Sequence, residues 1–179
     1  MAAQPVIRTE RLTLRPFRLE DAKDVQRLAG SKAIADTTAR VPHPYEDGMA
    51  EKWIKSHRGL FRRRKAVIYA VTRSDTKKLI GAIGLELHIK NERAEIGYWI
   101  GRRYWNRGYA TEAAEAMLMY GFMELGLKRI YAHHMKRNPS SGRVMQKIGM
   151  KREGLLRQHL KKGRRFEDLV FYGILREEF

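Results

Sequence analysis

Residues 104–113 combine glycine, basic and small side chains at the start of a predicted helix, in the order Tyr-Trp-Asn-Arg-Gly-Tyr-Ala-Thr-Glu-Ala. The first backbone N–H groups of a helix are unpaired, and the helix dipole adds partial positive charge to them. Gly108 lets a phosphate approach the backbone, Arg107 adds a full charge, and Ala110 has little bulk. Asn106 tolerates a left-handed backbone. The segment predicts an anion site suited to a pyrophosphate, with an ordinary strand-to-helix turn as the alternative.

A second polar cluster, residues 138–150, follows a predicted strand and opens another helix. Asn138 has the residue type of an N-cap, Pro139 is favoured at the first helical position, and Gly149 is a common helix end. Asn138 and Ser141 stand about one helical turn apart, so both side chains can lie beside the end of the preceding strand. Helix capping alone explains this pattern, and a ligand contact is the functional addition.

The elements that must position these two segments are predicted by hydrophobic periodicity. Short or alternating apolar runs indicate strands at residues 7–16, 66–71, 79–87, 94–100, 127–134, 151–160 and 166–175. Helical spacing indicates helices at residues 21–30, 45–64, 110–125 and 138–149. Residues 35–44 have no pattern and contain Pro42 and Pro44, so we expect a loop there. This order predicts an α/β fold in which a mixed sheet is flanked by helices.

Length and charge limit the class of protein. A chain of 179 residues with 43% hydrophobic residues suits one core, so we expect a single domain over residues 1–179. It has no cysteine, which excludes disulfides and thiol nucleophiles, and no apolar run of the roughly 18 residues that a membrane span needs. We therefore expect a cytoplasmic protein. The formal net charge of +17 indicates either a well-solvated surface or an anionic partner.

Together, the two segments resemble the GNAT superfamily of acetyl-CoA-dependent N-acetyltransferases, and within it the RimJ/RimL-like branch of ribosomal-protein N-terminal acetyltransferases. The family's phosphate loop, Gln/Arg-x-x-Gly-x-Gly/Ala, is matched by residues 105–110. Its Asn-x-x-Ser and Lys-x-Gly-Phe motifs are matched at residues 138–150, with Met in place of Phe. Residues 9–15 and 95–100 are also similar to this branch. The resemblance implies an α/β (α+β) fold of GNAT type, with a mixed, mostly antiparallel central sheet of about seven strands flanked by about four helices.

The resemblance implies acetyl-CoA or coenzyme A as the co-substrate and indicates which residues bind it. The backbone of residues 98–102 would hold the pantetheine arm, and the amides of residues 107–111 would bind the pyrophosphate. Arg143 or Lys147 would meet the remaining phosphate, while Asn138 would bond the pantetheine and Ser141 would lie near the sulfur. The expected coenzyme-binding residues are Tyr98, Trp99, Ile100, Arg102, Arg107, Gly108, Tyr109, Ala110, Thr111, Asn138, Ser141 and Arg143.

Two positions depart from the family pattern of the phosphate loop. Trp105 replaces the usual Gln or Arg, and Asn106 replaces a frequent glycine. The first change removes one side-chain phosphate donor. We expect the backbone amides and Arg107 to compensate.

Glu95 is the first candidate for a catalytic base. Acetyl transfer to nitrogen requires a neutral amine, and an aliphatic amine of pKa about 10 is mostly charged at neutral pH. The resemblance places the strand of Glu95 beside the acetyl group, and strand alternation puts Glu95 on one face with Gly97 and Trp99. A surface carboxylate paired with a neighbouring base is the alternative. Glu86 and Asp168 are the substitutes.

Protonation of the departing thiolate needs a second catalytic group. Many relatives carry a tyrosine seven residues after the motif asparagine, and that position is Met145 in this chain. We expect Ser141 to relay a proton or to hydrogen-bond the thiolate, with Tyr98 and Tyr172 in reserve. A thiol of pKa about 8.5 needs little assistance when it leaves.

No metal is expected, because the adjacent residues His133 and His134 point to opposite faces of a strand and no cysteine completes a site.

The leading hypothesis is an N-acetyltransferase that moves an acetyl group from acetyl-CoA to a primary amine by direct attack in a ternary complex. A protein N-terminus, on a ribosomal or other acidic protein, suits the positive charge. One alternative is a nucleic-acid-binding module on a degenerate acetyltransferase fold, with the aromatic residues of segment 102–109 as stacking platforms. The other is acetylation of a small amine such as a polyamine or an antibiotic.

Overall fold

One sheet runs through the part of the chain that the computed structural model describes, residues 3–179. Its eight strands follow the spatial order β1-β2-β3-β4-β5-β6-β8-β7. They are β1 (Ile7–Arg8), β2 (Leu12–Arg15), β3 (Ala66–Arg73), β4 (Leu79–His88), β5 (Arg93–Ile100), β6 (Arg129–Met135), β7 (Lys151–Lys162) and β8 (Arg165–Leu175). All neighbouring pairs are antiparallel except β5 with β6, which is parallel. The predicted mixed, mostly antiparallel sheet is confirmed.

Five α-helices cover the two faces of this sheet. They are α1 (Ala22–Ala29), α2 (Lys32–Thr37), α3 (Met49–Arg62), α4 (Tyr109–Met119) and α5 (Pro139–Lys147). Helices α1 and α3 pack together over β3 and β4, whereas α4 and α5 pack together and contact β5 and β6. Within residues 3–179, no helix is long and apolar enough to cross a membrane.

The structure differs from the sequence-based expectations mainly at the ends of elements. The predicted strand at residues 7–16 is two strands, because a turn closed by the bond from the Thr9 amide to the Leu12 carbonyl interrupts it. The predicted loop at residues 35–44 begins with the last turn of α2, whose N-cap Ser31 accepts a hydrogen bond from the Ile34 amide. The long predicted helix leaves α-helical geometry after Met119 and continues as a π-helical turn, Tyr120–Glu124.

Asn138 occupies the N-cap position of α5, but its side chain does not cap the helix. Its amide group instead donates to the Thr37 carbonyl at 3.1 Å, which ties the start of α5 to the end of α2. Pro139 and Gly149 stand at the predicted start and end, and Gly149 has a φ of 84° that favours glycine. The capping role predicted for Asn138 is therefore wrong, although the helix boundaries are right.

Candidate active site

The parallel pairing of β5 with β6 stops halfway along both strands. Their register runs from Arg93 opposite Arg129 to Glu95 opposite Tyr131, a total of three residue pairs. Beyond this point β6 follows β8, with which it pairs along its whole length. Residues 96–100 of β5 and 132–135 of β6 therefore diverge, and a gap opens in the middle of the sheet.

Hydrogen bonding to β4 determines which backbone groups of β5 face this gap. The Gly101 amide donates to the Ile80 carbonyl at 2.8 Å, and bonded pairs alternate along an antiparallel ladder. The backbone of odd-numbered residues such as Trp99 is therefore directed at β4, and that of Tyr98 and Ile100 is directed at the gap. The Ile100 carbonyl accepts a hydrogen bond from the Trp105 indole, so Trp105 fastens the loop that follows β5.

The loop before α4 has the backbone geometry that its residue types allow. Asn106 and Gly108 both have left-handed backbones, with φ values of 58° and 79°. Gly108 is the N-cap of α4 and has no side chain to accept from the first helical amides. Arg107 is exposed beside it, and Ala110 and Thr111 are partly buried in the first helical turn. Tyr109 is buried, so it offers this site only its backbone.

A carboxylate in the first turn of α4 holds this loop in place. Glu112 accepts hydrogen bonds from Thr9 Oγ1 at 2.6 Å, from the Arg11 amide at 2.8 Å and from Arg11 Nε at 2.7 Å. A further nitrogen of the Arg11 guanidinium donates to the Arg107 carbonyl at 2.9 Å. Burial alone would raise the pKa of Glu112, but these hydrogen bonds outweigh it and hold the pKa below its usual value. The sequence analysis missed this role of Thr9 and Arg11, although both belong to the motif at residues 9–15.

A cavity of about 620 Å³ passes through the gap and is lined by residues from both faces of the sheet. On the face of α4 and α5, the Tyr98 hydroxyl lies 3.0 Å from Ser141 Oγ and 3.3 Å from the Ser141 carbonyl. Burial raises the pKa of Tyr98 to about 12, so its hydroxyl keeps its proton at neutral pH. Met145 lines the cavity one turn after Ser141. The two hydroxyls therefore line the cavity on this face of the sheet.

On the opposite face, Glu95 lines the same cavity beside a histidine. Glu95 Oε1 lies 3.4 Å from His133 Nδ1, and their side chains are 21% and 17% exposed. Burial lowers the pKa of His133, while the Glu95 charge opposes this shift. Glu86 stands directly opposite Glu95 on β4 and forms a 2.6 Å ion pair with Arg40. The site therefore places a partly buried carboxylate next to an imidazole whose pKa burial holds below its usual value.

Several candidates lie outside this arrangement. The Asp168 carboxylate accepts a hydrogen bond from the backbone amide of Gln158 at 2.8 Å and does not line the cavity. Tyr172 lines a separate cavity of about 270 Å³, where its hydroxyl accepts from Gln146 at 3.3 Å. Arg143 is exposed and donates to Ser140 at 2.7 Å.

Arg102 is exposed in a short 3-10 turn after β5, and Lys147 is exposed at the end of α5. Tyr104 and Tyr109 are buried, so these two aromatic residues do not form a surface for stacking bases. His133 and His134 face different partners, the first Glu95 and the second Tyr172. The described part of the chain contains no cluster of three or more His, Cys, Asp or Glu side chains that could bind a metal ion.

Besides the role of Thr9 and Arg11, sequence reasoning missed His133 and Arg40. The sequence analysis considered His133 only as a metal ligand and gave Arg40 no role. The signal that could have found His133 is the parallel register, in which Tyr131 opposes Glu95 and His133 follows on the same face. That register depends on which residues of β5 and β6 pair, and no local sequence pattern indicates this pairing.

The residues present fit coenzyme A. The gap exposes the backbone of Tyr98 and Ile100 to an extended amide-containing arm, and the loop that follows β5 continues into the uncapped amides at the start of α4. Those amides and Arg107 suit a diphosphate. A gap between two parallel strands, next to a helix start that suits a diphosphate, is typical of enzymes that bind an acyl carrier and transfer its acyl group within the gap.

Comparisons with known proteins identify this class. The acetyltransferase (GNAT) domain family matches residues 11–151. The uncharacterized N-acetyltransferases YnaD and YoaA of Bacillus subtilis are 35% and 32% identical to this chain, over 97% and 96% of it and over 98% and 97% of their own lengths. A GNAT acetyltransferase structure from Bacillus anthracis matches with a TM-score of 0.86 and 31% identity, covering 97% of this chain and 100% of that one. The chain belongs to the GNAT family and is an acetyl-CoA-dependent N-acetyltransferase.

Proposed function

We propose that this enzyme acetylates the α-amine of a protein N-terminus by direct attack within a ternary complex. One observation carries the proposal: the cavity passes through the gap between β5 and β6 and joins the two faces of the sheet. The groups that suit the coenzyme lie at the gap and on the face of α4 and α5. Glu95 and His133 lie on the other face, so the amine acceptor would enter from there.

Each polar group of the cavity has a role in this proposal. Acetyl-CoA, when bound, supplies an acetyl group as a reactive thioester. Glu95 takes a proton from the acceptor ammonium, which at a protein N-terminus has a pKa near 8. His133, whose Nδ1 lies 3.4 Å from Glu95 Oε1, would position the Glu95 carboxylate. Tyr98 and Ser141, whose hydroxyls lie 3.0 Å apart, would offer a hydrogen bond to the sulfur that leaves.

The RimJ/RimL-like branch and a ribosomal acceptor form the finer part of the proposal. A ribosomal-protein-serine acetyltransferase of Escherichia coli is 26% identical over 122 residues, and this likeness supports the branch. The net charge of +17 supports an acidic acceptor protein, because a cationic surface attracts it at long range.

The test is acetylation with isotopically labelled acetyl-CoA of a mixture of peptides, polyamines and ribosomal proteins, read by mass spectrometry. We expect label on peptide α-amines, and an initial rate of labelling lower by about 10²-fold or more with the Glu95→Gln variant. Label on spermidine but on no peptide would contradict the proposed acceptor. Tight retention of RNA without any label would instead support the nucleic-acid alternative.

A further inference from the structure

Gly97 is a glycine that the fold does not require. It lies inside β5, its backbone is not left-handed, and a Cβ at this position would meet no atom of residues 3–179 within 4 Å apart from its two chain neighbours. Its neighbour across the strand pair differs, because a Cβ on Gly84 would come within 2.8 Å of the Val67 carbonyl oxygen. Glycine weakens a strand interior relative to a β-branched residue. The open space over Gly97 therefore calls for an explanation other than folding.

This space lies beside the candidate base. Strand register aligns Ile68, Gly84 and Gly97 in a row across β3, β4 and β5. The next row on the same face contains Glu86 and Glu95, about 7 Å further along the strands because successive same-face residues are two apart.

The wall of this space is mostly apolar. Trp53, Ser56 and Leu60 of α3 line the same cavity as Ile68, Gly84 and Gly97, and the Ser56 hydroxyl donates to the Trp53 carbonyl at 2.7 Å. We call the other five residues the side-chain pocket. Apart from the Trp53 indole, their side chains carry no polar atom. Ile68, Trp53 and Leu60 are each only partly buried, so the chain itself does not cover them completely.

We infer that the side-chain pocket receives a large apolar side chain on the carbon that bears the acceptor amine. This inference rests on the proposed function and narrows its substrate class to polypeptides whose first residue is leucine, methionine or phenylalanine. The amine then lies at Glu95 while the apolar group displaces water from Ile68 and Gly97. A serine hydroxyl in the same place gains little from burial against this wall and loses hydrogen bonds to water.

The experiment measures kcat/KM for synthetic peptides that differ only in their first residue, which is Leu, Met, Phe, Ser or Gly. We expect the full chain to favour the Leu peptide over the Ser peptide by about tenfold or more, the scale by which apolar pockets discriminate. Gly97→Val fills the space with a good strand former and lowers kcat/KM for the Leu peptide by about tenfold. The Gly peptide loses less than about threefold.

Gly154→Val is the matched control. Gly154 also lies in a strand, without a left-handed backbone and with open space at its Cβ, but it does not line the cavity. The Gly154→Val variant should leave the ranking of the five peptides by kcat/KM unchanged. Thermal unfolding and coenzyme A titration of each variant show whether the fold and the coenzyme site are intact, and Gly97→Ala replaces the valine variant if that one is unstable.

The possible outcomes distinguish a failure of the side-chain pocket from a failure of the proposed α-amine acetylation. Equal kcat/KM for all five peptides, or a preference for Ser, overturns the side-chain pocket while α-amine acetylation stands. A Gly97→Val loss that is the same for the Gly and Leu peptides also overturns it. If wild-type enzyme acetylates none of the peptides, the proposed function fails and the inference fails with it.

Discussion

The two ends of the proposed active site are constructed from different parts of the polypeptide. The coenzyme end would consist of backbone groups: the edge of β5 at Tyr98 and Ile100, and the first amides of α4 after Gly108, which lie beyond the residues that line the cavity. The acceptor end consists of side chains, with Glu95 and His133 facing each other from two strands that have just separated. A backbone site tolerates side-chain substitution, whereas a side-chain site changes chemistry with a single replacement.

This difference explains why Trp105 is compatible with the coenzyme end. Its indole holds the Ile100 carbonyl and thereby the loop, so it stabilises a site whose donors are amides. Glu112 acts in the same way from the other side, through Thr9 and Arg11. The acceptor end has no such redundancy in its chemistry, because two carboxylates line the cavity in the described part of the chain and one of them, Glu86, is paired with Arg40.

The largest effect is expected at the acceptor end, from Glu95→Gln. Loss of a general base typically costs 10²–10⁴-fold, so we expect kcat/KM to fall by about 10²-fold or more at pH 7. Coenzyme A affinity, measured by calorimetry, should stay within about twofold because the coenzyme end is made of backbone groups.

Glu86→Gln is the matched control for this prediction. Glu86 lies directly opposite Glu95 but is held by Arg40, and we expect a loss of less than about tenfold. Equal losses in the two variants would show that the reaction needs only the negative charge of the cavity. Glu95 would then not be a specific general base.

The coenzyme end should respond to backbone conformation instead. Gly108→Ala places a side chain on a residue with φ of 79°, within 3.2 Å of the Arg11 guanidinium, so we expect coenzyme A affinity to fall about tenfold. Gly126→Ala supplies the same kind of strain, at φ of 69°, with open space and at the far end of the helical segment.

Calorimetric titration of both variants checks this prediction. Gly126→Ala should lower thermal stability without changing coenzyme A affinity. If the two variants bind coenzyme A equally well, the start of α4 does not hold the diphosphate.

The same difference decides how much the sequence could predict. The loop of Asn106 and Gly108 was predictable, because a left-handed backbone and a helix start are local properties with residue signatures. The order of strands and helices along the chain followed from periodicity, and the mostly antiparallel sheet from the family resemblance. The neighbour of Glu95 could not be predicted, since His133 is 38 residues away and reaches it only where the parallel ladder ends. Asn138 shows the same limit, because its actual partner is the Thr37 carbonyl from a helix that periodicity did not reveal.

The smallest effect is expected where the two ends meet, at the Tyr98–Ser141 pair. A thiolate of pKa about 8.5 leaves with little help, so Ser141→Ala should lower kcat only about threefold to tenfold. Tyr98→Phe should cost a similar amount, and the double variant should cost less than the product, because each hydroxyl acts through the hydrogen bond between them. Burial raises the pKa of Tyr98 to about 12, so Tyr98 stays protonated between pH 6 and pH 9 and the loss should be constant over that range. Steady-state kcat across this range tests the point: independent, multiplicative losses would mean that the two hydroxyls do not act as one donor.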